Sequence, residues 1–356
     1  MIKHIKLLSS ISLLLALSAP AFSRDGKGDG EVKKQRLINK HYDVTAEDKL
    51  EIENQFGNVV VSTWDKNEIT VDIEIVANAS TDEKAKEMMD EIDVRDYNSS
   101  HIISFKTKVG EIHNGKNDRG GDNNRSFYID YVIHMPSGNR LEIENSFGKM
   151  EVPAFKGLVT LTSKFGSLNT GKLDNVDAID VEFGKAYITE IANGKVVFKF
   201  NKESRIGKVS GNVKITSEFS KNVQFNVSDN IEELSVYESY SGVRVVVDKE
   251  LSAQFSVHTS FGGFHNDSEF PIRERREDDG GNDYGPHFDK DYSGKAGDGK
   301  ATIKIKSSFG NVRLSHSNGS SNDDDDKADD EKSKNKQKNK DKDKDKDKEK
   351  DNEETN

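Results

Sequence analysis

The chain has 356 residues, and its 33% charged against 32% hydrophobic content is too polar for a membrane-embedded protein. It contains no cysteine, which rules out a disulfide framework, a thiolate metal site, a cysteine nucleophile and a lipid-modified cysteine. A formal net charge of −11 argues against non-specific nucleic-acid binding, so no nucleic-acid partner is expected.

Residues 1–23 open with Lys3, His4 and Lys6, run apolar from Leu7 to Leu17, and end in Ala19-Pro20-Ala21-Phe22-Ser23. This is the pattern of a secretory signal peptide cut after Ala21 or Ser23. The apolar core is shorter than the roughly 20 residues that span a bilayer, so no transmembrane segment is expected after cleavage. The expected location is periplasmic, outer-membrane associated or extracellular. Residues 24–35 read as a flexible N-terminal segment.

Residues 36–135 form a β-rich part, with strands predicted at 37–44, 50–54, 58–63, 68–77, 101–109 and 126–134. Thr81 to Ile92 reads as a helix, with Ala85, Met88, Met89 and Ile92 at helical spacing. Its expected role is to cover a sheet edge.

Residues 136–316 repeat a unit of apolar-x-apolar-x-(Ser/Thr/Asn)-x-Phe-Gly-x-x-apolar-x-apolar. Clear copies end at Phe147-Gly148, Phe165-Gly166 and Phe309-Gly310, with one more at Phe56-Gly57 in the preceding part; weaker ones centre on Phe183, Phe200, Phe219, Tyr240 and Phe261. From Phe147 the aromatic recurs after 18, 18, 17, 19, 21 and 21 residues, then after 48 across an insertion at 266–299. A period near twenty predicts an all-β, single-chain β-solenoid of stacked coils. Leu141, Ile143, Asn145 and Phe147 share one strand face, so the aromatic is expected inside the coil. The glycines Gly57, Gly148, Gly166, Gly184, Gly262 and Gly310 are expected to make the bend through positive φ. Phe147, Phe165, Phe183 and Phe261 should then stack in a buried column, and Phe165→Ala should cost about 3–5 kcal/mol. The polar file Asn54, Asn145, Ser163, Ser217, Thr259 and Ser307 also faces inward, where hydrogen bonding suits it better than catalysis. Around Phe219, with Ser220 in the glycine place, the apolar set shifts by one residue and a bulge is expected. Residues 317–356 alternate Lys and Asp with almost no apolar side chain and read as a disordered charged tail.

The run Tyr131 to Gly148, followed by repeated Phe-Gly units, resembles the exported bacterial β-strand-repeat family of adhesin-like, head-domain-like proteins. The resemblance spans about residues 40–315. It implies a signal peptide, a single-chain β-solenoid and an envelope location, and it carries no catalytic site onto any position here.

Three constellations bear on chemistry. The loops His113 to Arg125 and Asn266 to Asp298 are rich in Gly, Asn and Asp, as calcium sites are, but match neither an EF-hand nor a calcium-binding nonapeptide, so metal binding stays open. Histidines 113, 265 and 287 have no metal-ligand spacing. Asp174, Asp177, Asp180 and Glu182 could serve a polysaccharide-active enzyme, although they fall among ordinary solvent-facing positions. The expected function is therefore non-catalytic: an adhesin-like interaction module needing no cofactor, with a glycan or protein at the cell surface as its partner. A periplasmic structural or sensing scaffold is the alternative, and a polysaccharide-active enzyme the more remote one. Clustered acids in a groove would favour the enzyme; exposed aromatics on one face would favour glycan binding.

Overall fold

A computed structural model describes residues 32–110, 125–275 and 288–317. The expected signal peptide, most of the segment 24–35, the tail from 318 and the loop residues 111–124 and 276–287 lie outside the described residues.

The described chain is nearly all β, joined in one hydrogen-bonded sheet. Alternation builds it. In Lys49–Gln55 burial changes residue by residue, so Leu50, Ile52 and Asn54 face inward while the glutamates between them face water. The same rhythm runs through Arg140–Ser146, Phe155–Lys164, Ser167–Glu182, Lys185–Lys199, Glu203–Glu218 and Val223–Ser239. These strands pair in parallel, and equivalent repeat positions lie side by side. Leu141 is beside Val159, Asn145 beside Ser163, and Ser163 beside Val181. After the Phe-Gly corner a second file forms, in which Met150, Leu168, Ala186, Ser204, Val223 and Val243 are successive neighbours. The inward aliphatics of both files merge into one core, each burial contributing about 1.5–3 kcal/mol.

The stack does not follow chain order at its ends, contrary to the simple succession of coils that the repeat implies. Lys49–Gln55 lies between Arg140–Ser146 and Ile102–Val109. Ala301–Ser308 lies between the second half of Val223–Ser239 and Ala253–Ser260, and Asn311–His316 between Gly242–Val247 and Gly263–Asp267. The rung carrying Phe309 is thus inside the rung carrying Phe261. Period-two patterning specifies which face of a strand is buried, and both slots ask for the same face.

Antiparallel strands cover both ends. Val32–Asp43 pairs with Glu68–Ala79, which pairs with Ser126–Pro136, while Ile92–Ser99 pairs with Ile102–Val109. At the other end Asp289–Ala296 covers Ala253–Ser260 and is itself paired by Arg273–Arg275. Occupied edges remove templates for aggregation. The helix Asp82–Asp90 starts at Thr81, whose hydroxyl accepts from the Lys84 N–H, and it buries Ala85, Met88 and Met89. Ile92, expected on this helix, instead opens the strand Ile92–Ser99, which the sequence pattern does not announce.

Candidate functional site

Each corner of the stack carries one aromatic ring, and the rings form a ladder on the surface. Phe56, Phe147, Phe165, Phe183, Phe200, Phe219, Tyr240, Phe309 and Phe261 succeed one another at centroid spacings of 4.8–5.2 Å and interplanar angles of 1–8°. Phe288 continues it at 4.6 Å from Phe261, and Phe127 meets Phe56 edge-on at the opposite end. The rings from Phe147 onward are 46–53% exposed. The expected column therefore exists, but on the outside, and the expectation of buried Phe147, Phe165, Phe183 and Phe261 is corrected.

The cause lies in the backbone. The aromatic residues adopt the left-handed conformation, with φ between 50° and 62°, so they supply the bend and turn their side chains outward. That conformation costs an L-residue roughly 1–2 kcal/mol, which stacking at about 0.5–1.5 kcal/mol per ring pair helps offset. Each ring residue also donates its N–H to the next rung, as Phe147 does to the Lys164 carbonyl at 2.9 Å and Phe165 to Glu182 at 3.0 Å.

The following glycines do not have positive φ; that expectation is corrected too. They are needed for close approach. A Cβ on Gly166 would lie 1.9 Å from the Gly148 carbonyl oxygen, and one on Gly148 would lie 1.7 Å from that of Gly57. Gly184 sits over Gly166 and Gly262 over Gly310 in the same way, while Gly57 faces the Ile129 carbonyl. The sequence did carry a sign of this. The position after the ring admits only Gly, Asn or Ser, whereas the preceding one is always a large aromatic, so the sterically restricted position is the second.

Where glycine gives way, side chains take up its backbone bonds. The Gly184 N–H donates to Asn201 Oδ1 (2.9 Å), the Asn201 N–H to Ser220 Oγ (3.0 Å), the Ser220 N–H to Ser241 Oγ (3.0 Å), and the Ser241 N–H to Glu238 Oε1 (2.6 Å). Glu238 ends the relay and also accepts from the Ser307 hydroxyl of the inserted rung. It stands in the inward polar file, and burial holds its carboxyl above the usual glutamate range, against the pull of the Ser307 and Ser241 hydrogen bonds. Elsewhere in that file Asn54 Nδ2 donates to Asn145 Oδ1 (3.1 Å) and Asn145 Nδ2 to the Gly57 carbonyl (3.1 Å). The hydroxyls of Ser163, Ser217 and Thr259 are buried without a hydrogen-bond partner, which departs from the expectation of a fully bonded column.

Charged rows flank the ladder. Lys164 pairs with Glu144 at 2.9 Å, Lys199 with Glu182 at 3.8 Å, and Lys185 with Glu203 at 3.8 Å. Asp180 is raised chiefly by burial; Lys199 and Lys164 oppose this, while Glu182 and Glu218 add to it. Asp180 and Glu182 share this outward face, whereas Asp174 and Asp177 fall within the irregular stretch between Leu173 and Ala178, where the strand register shifts. None of these acids lines the recess of about 330 Å³ bounded by Lys208, Asn226, Asp229 and Asp248. Among the described residues His41, Asp43 and Glu68 bring potential metal-ligand atoms within 4.8 Å of one another, two of the three being exposed. Most of the loop from His113 to Arg125, residues 276–287 of the second loop, and His113 and His287 lie outside the described residues. Among the described residues no helix is long and apolar enough to cross a membrane.

The chain matches no family model, and no curated protein matches it. Among solved structures it is similar to a "putative cell adhesion protein" from Clostridium sporogenes, at 12% identity over 80% of this chain and 100% of that one, with a TM-score of 0.24. A "putative adhesin" from Bacteroides fragilis aligns at 10% identity over 79% and 97%, TM-score 0.33. A "putative lipid binding protein" from Parabacteroides distasonis aligns at 9% identity over 78% and 96%, TM-score 0.25. The structural neighbours are thus described as adhesion proteins or as a lipid-binding protein, all at low sequence identity.

Proposed function

We propose that this chain is an exported, non-catalytic β-solenoid of the cell envelope that acts as an adhesin-like interaction module through its aromatic ridge. The ridge is the observation that carries the reading. Contiguous apolar patches of more than a few hundred Å² mark interaction surfaces on soluble proteins, and this one follows the whole parallel stack. Parallel in-register pairing at a repeat near twenty residues supports the solenoid, and the apolar run within residues 1–23 supports export.

A protein surface suits the ridge better than a glycan. A sugar stacks on the face of a ring, and here the faces from Phe147 to Phe309 are occupied by neighbouring rings, leaving edges outward.

The test pairs location with binding. Protease treatment of intact cells of the native host, with a periplasmic marker as control, should cut the protein. Purified protein should bind those cells, and a Phe183→Ser/Phe200→Ser variant should lose that binding while staying folded. Protection until the outer barrier is breached would overturn surface exposure in favour of a periplasmic scaffold.

A further inference from the structure

We propose that the partner of the aromatic ridge is a second copy of this chain, docked ridge to ridge and antiparallel, with a two-fold axis passing between Phe183 and Phe200. This rests on the interaction-module reading and names its partner.

Area comes first. A phenylalanine offers about 150–250 Å² of surface, so rings near half exposure present on the order of 100 Å² each, and the seven from Phe147 to Phe309, all within the stretch this axis overlaps, on the order of 700 Å². That is about one partner's share of a standard stable interface. Pitch comes second. Two copies of one ladder share the same rung spacing, so the outward ring edges of one can meet those of the other rung by rung along the full overlap, as in dry interfaces between paired sheets.

Charge fixes the arrangement. The residues just before the rings of four successive rungs are Lys164, Glu182, Lys199 and Glu218, all partly exposed. An antiparallel two-fold at the stated axis sets Lys164 opposite Glu218 and Glu182 opposite Lys199, twice each. The uncharged Ser146 and Ser239 of the next rungs outward then face one another. On the other flank Lys185 meets Glu203, which occupy one register level of adjacent rungs. Slipping the pair by one rung would place Glu182 against its own symmetry mate and Lys164 against Lys199. The alternation thus specifies one register and penalises its neighbours. An isologous interface needs this self-complementarity, since each patch must fit its own copy.

Sedimentation equilibrium of the full chain should give a concentration-dependent dimer that weakens with salt. Lys164→Glu alone and Glu218→Lys alone should each weaken it by about tenfold or more, by setting like charges opposite. The double variant K164E/E218K should recover it. Within one chain these residues are three rungs apart, on the order of 14 Å, so recovery reports contact across the axis. Circular dichroism melts check that each variant is folded. A chain that stays monomeric well above micromolar concentration overturns the proposal, as does a dimer indifferent to all three variants. If the dimer is absent but Phe183→Ser/Phe200→Ser still abolishes cell binding, the interaction reading stands and the homotypic partner falls. If that variant changes neither, both fall.

Discussion

The rungs from Phe147 to Tyr240 and the two that follow use the same cross-section but join it differently. In the first group each rung pairs with the next in sequence, at separations of 17 to 21 residues. In the second, Glu238 meets Ser307 across 69 residues, and the Phe261 rung touches Tyr240's rung only through the Phe309 rung between them. A repeat therefore determines what a rung looks like without determining where it goes. The outer position of Ala253–Ser260 follows from its antiparallel partner Asp289–Ala296, which takes the free edge and leaves the inner edge to Ala301–Ser308.

Truncation after Lys300 should break that contrast most strongly. It removes buried Ile303, Ile305, Val312 and Leu314, each contributing about 1.5–3 kcal/mol, and separates the Phe261 rung from the stack. Hydrogen exchange should show residues 253–267 losing protection while 159–219 keep it; equal loss in both regions would mean the two fold as one unit. Next in size is Gly166→Ala, where overpacking against the Gly148 carbonyl should cost about 3 kcal/mol in urea denaturation. Phe165→Ala should cost less, about 1–2 kcal/mol, because half the ring is already in water. The order of these two variants separates an outward ring from the inward one that repeat parity suggests. Phe165→Gly should be milder than Phe165→Ala by about 1 kcal/mol, since glycine adopts the left-handed corner without strain.

The smallest effect concerns Glu238. Its folded carboxyl titrates above the ordinary value of 4.5, so its contribution is fully present below that value and is lost as pH rises through the folded one. Relative to Glu238→Gln, the wild type should lose stability as pH climbs from below the ordinary glutamate range to neutrality. A pH-independent difference between the two would contradict burial as the cause.

Much of the cross-section was legible in the sequence. Leu141, Ile143 and Asn145 face inward as their parity requires, and the helix begins at the capping Thr81. The ring was misassigned because parity alone cannot say which residue of Phe-Gly leaves the inward file. Phe147 at φ 61° breaks the alternation one residue before the glycine. The relay from Asn201 through Ser220 and Ser241 to Glu238 stayed hidden for a different reason. Its links from Asn201 to Ser220 and from Ser220 to Ser241 span 19 and 21 residues and form only once the rungs are stacked, and only the closing bond from Ser241 to Glu238 is local. The charges of the ridge flank were not read as a pattern, because Lys164, Glu182, Lys199 and Glu218 are 17 to 19 residues apart and alternate only once they stand on consecutive rungs beside exposed rings.

The out-of-order insertion also sets a schedule. A polypeptide made from its N-terminus can add the rungs through Tyr240 one upon another as they emerge, each finding a finished edge. Residues 253–267 then appear with no completed neighbour, because the strands between them and Tyr240 have not yet been synthesised. Residues 301–316 must arrive and pair on both sides at once. The far end of the stack is consequently sealed by residues 301–316, and a nascent molecule keeps one open face until that segment has emerged and paired.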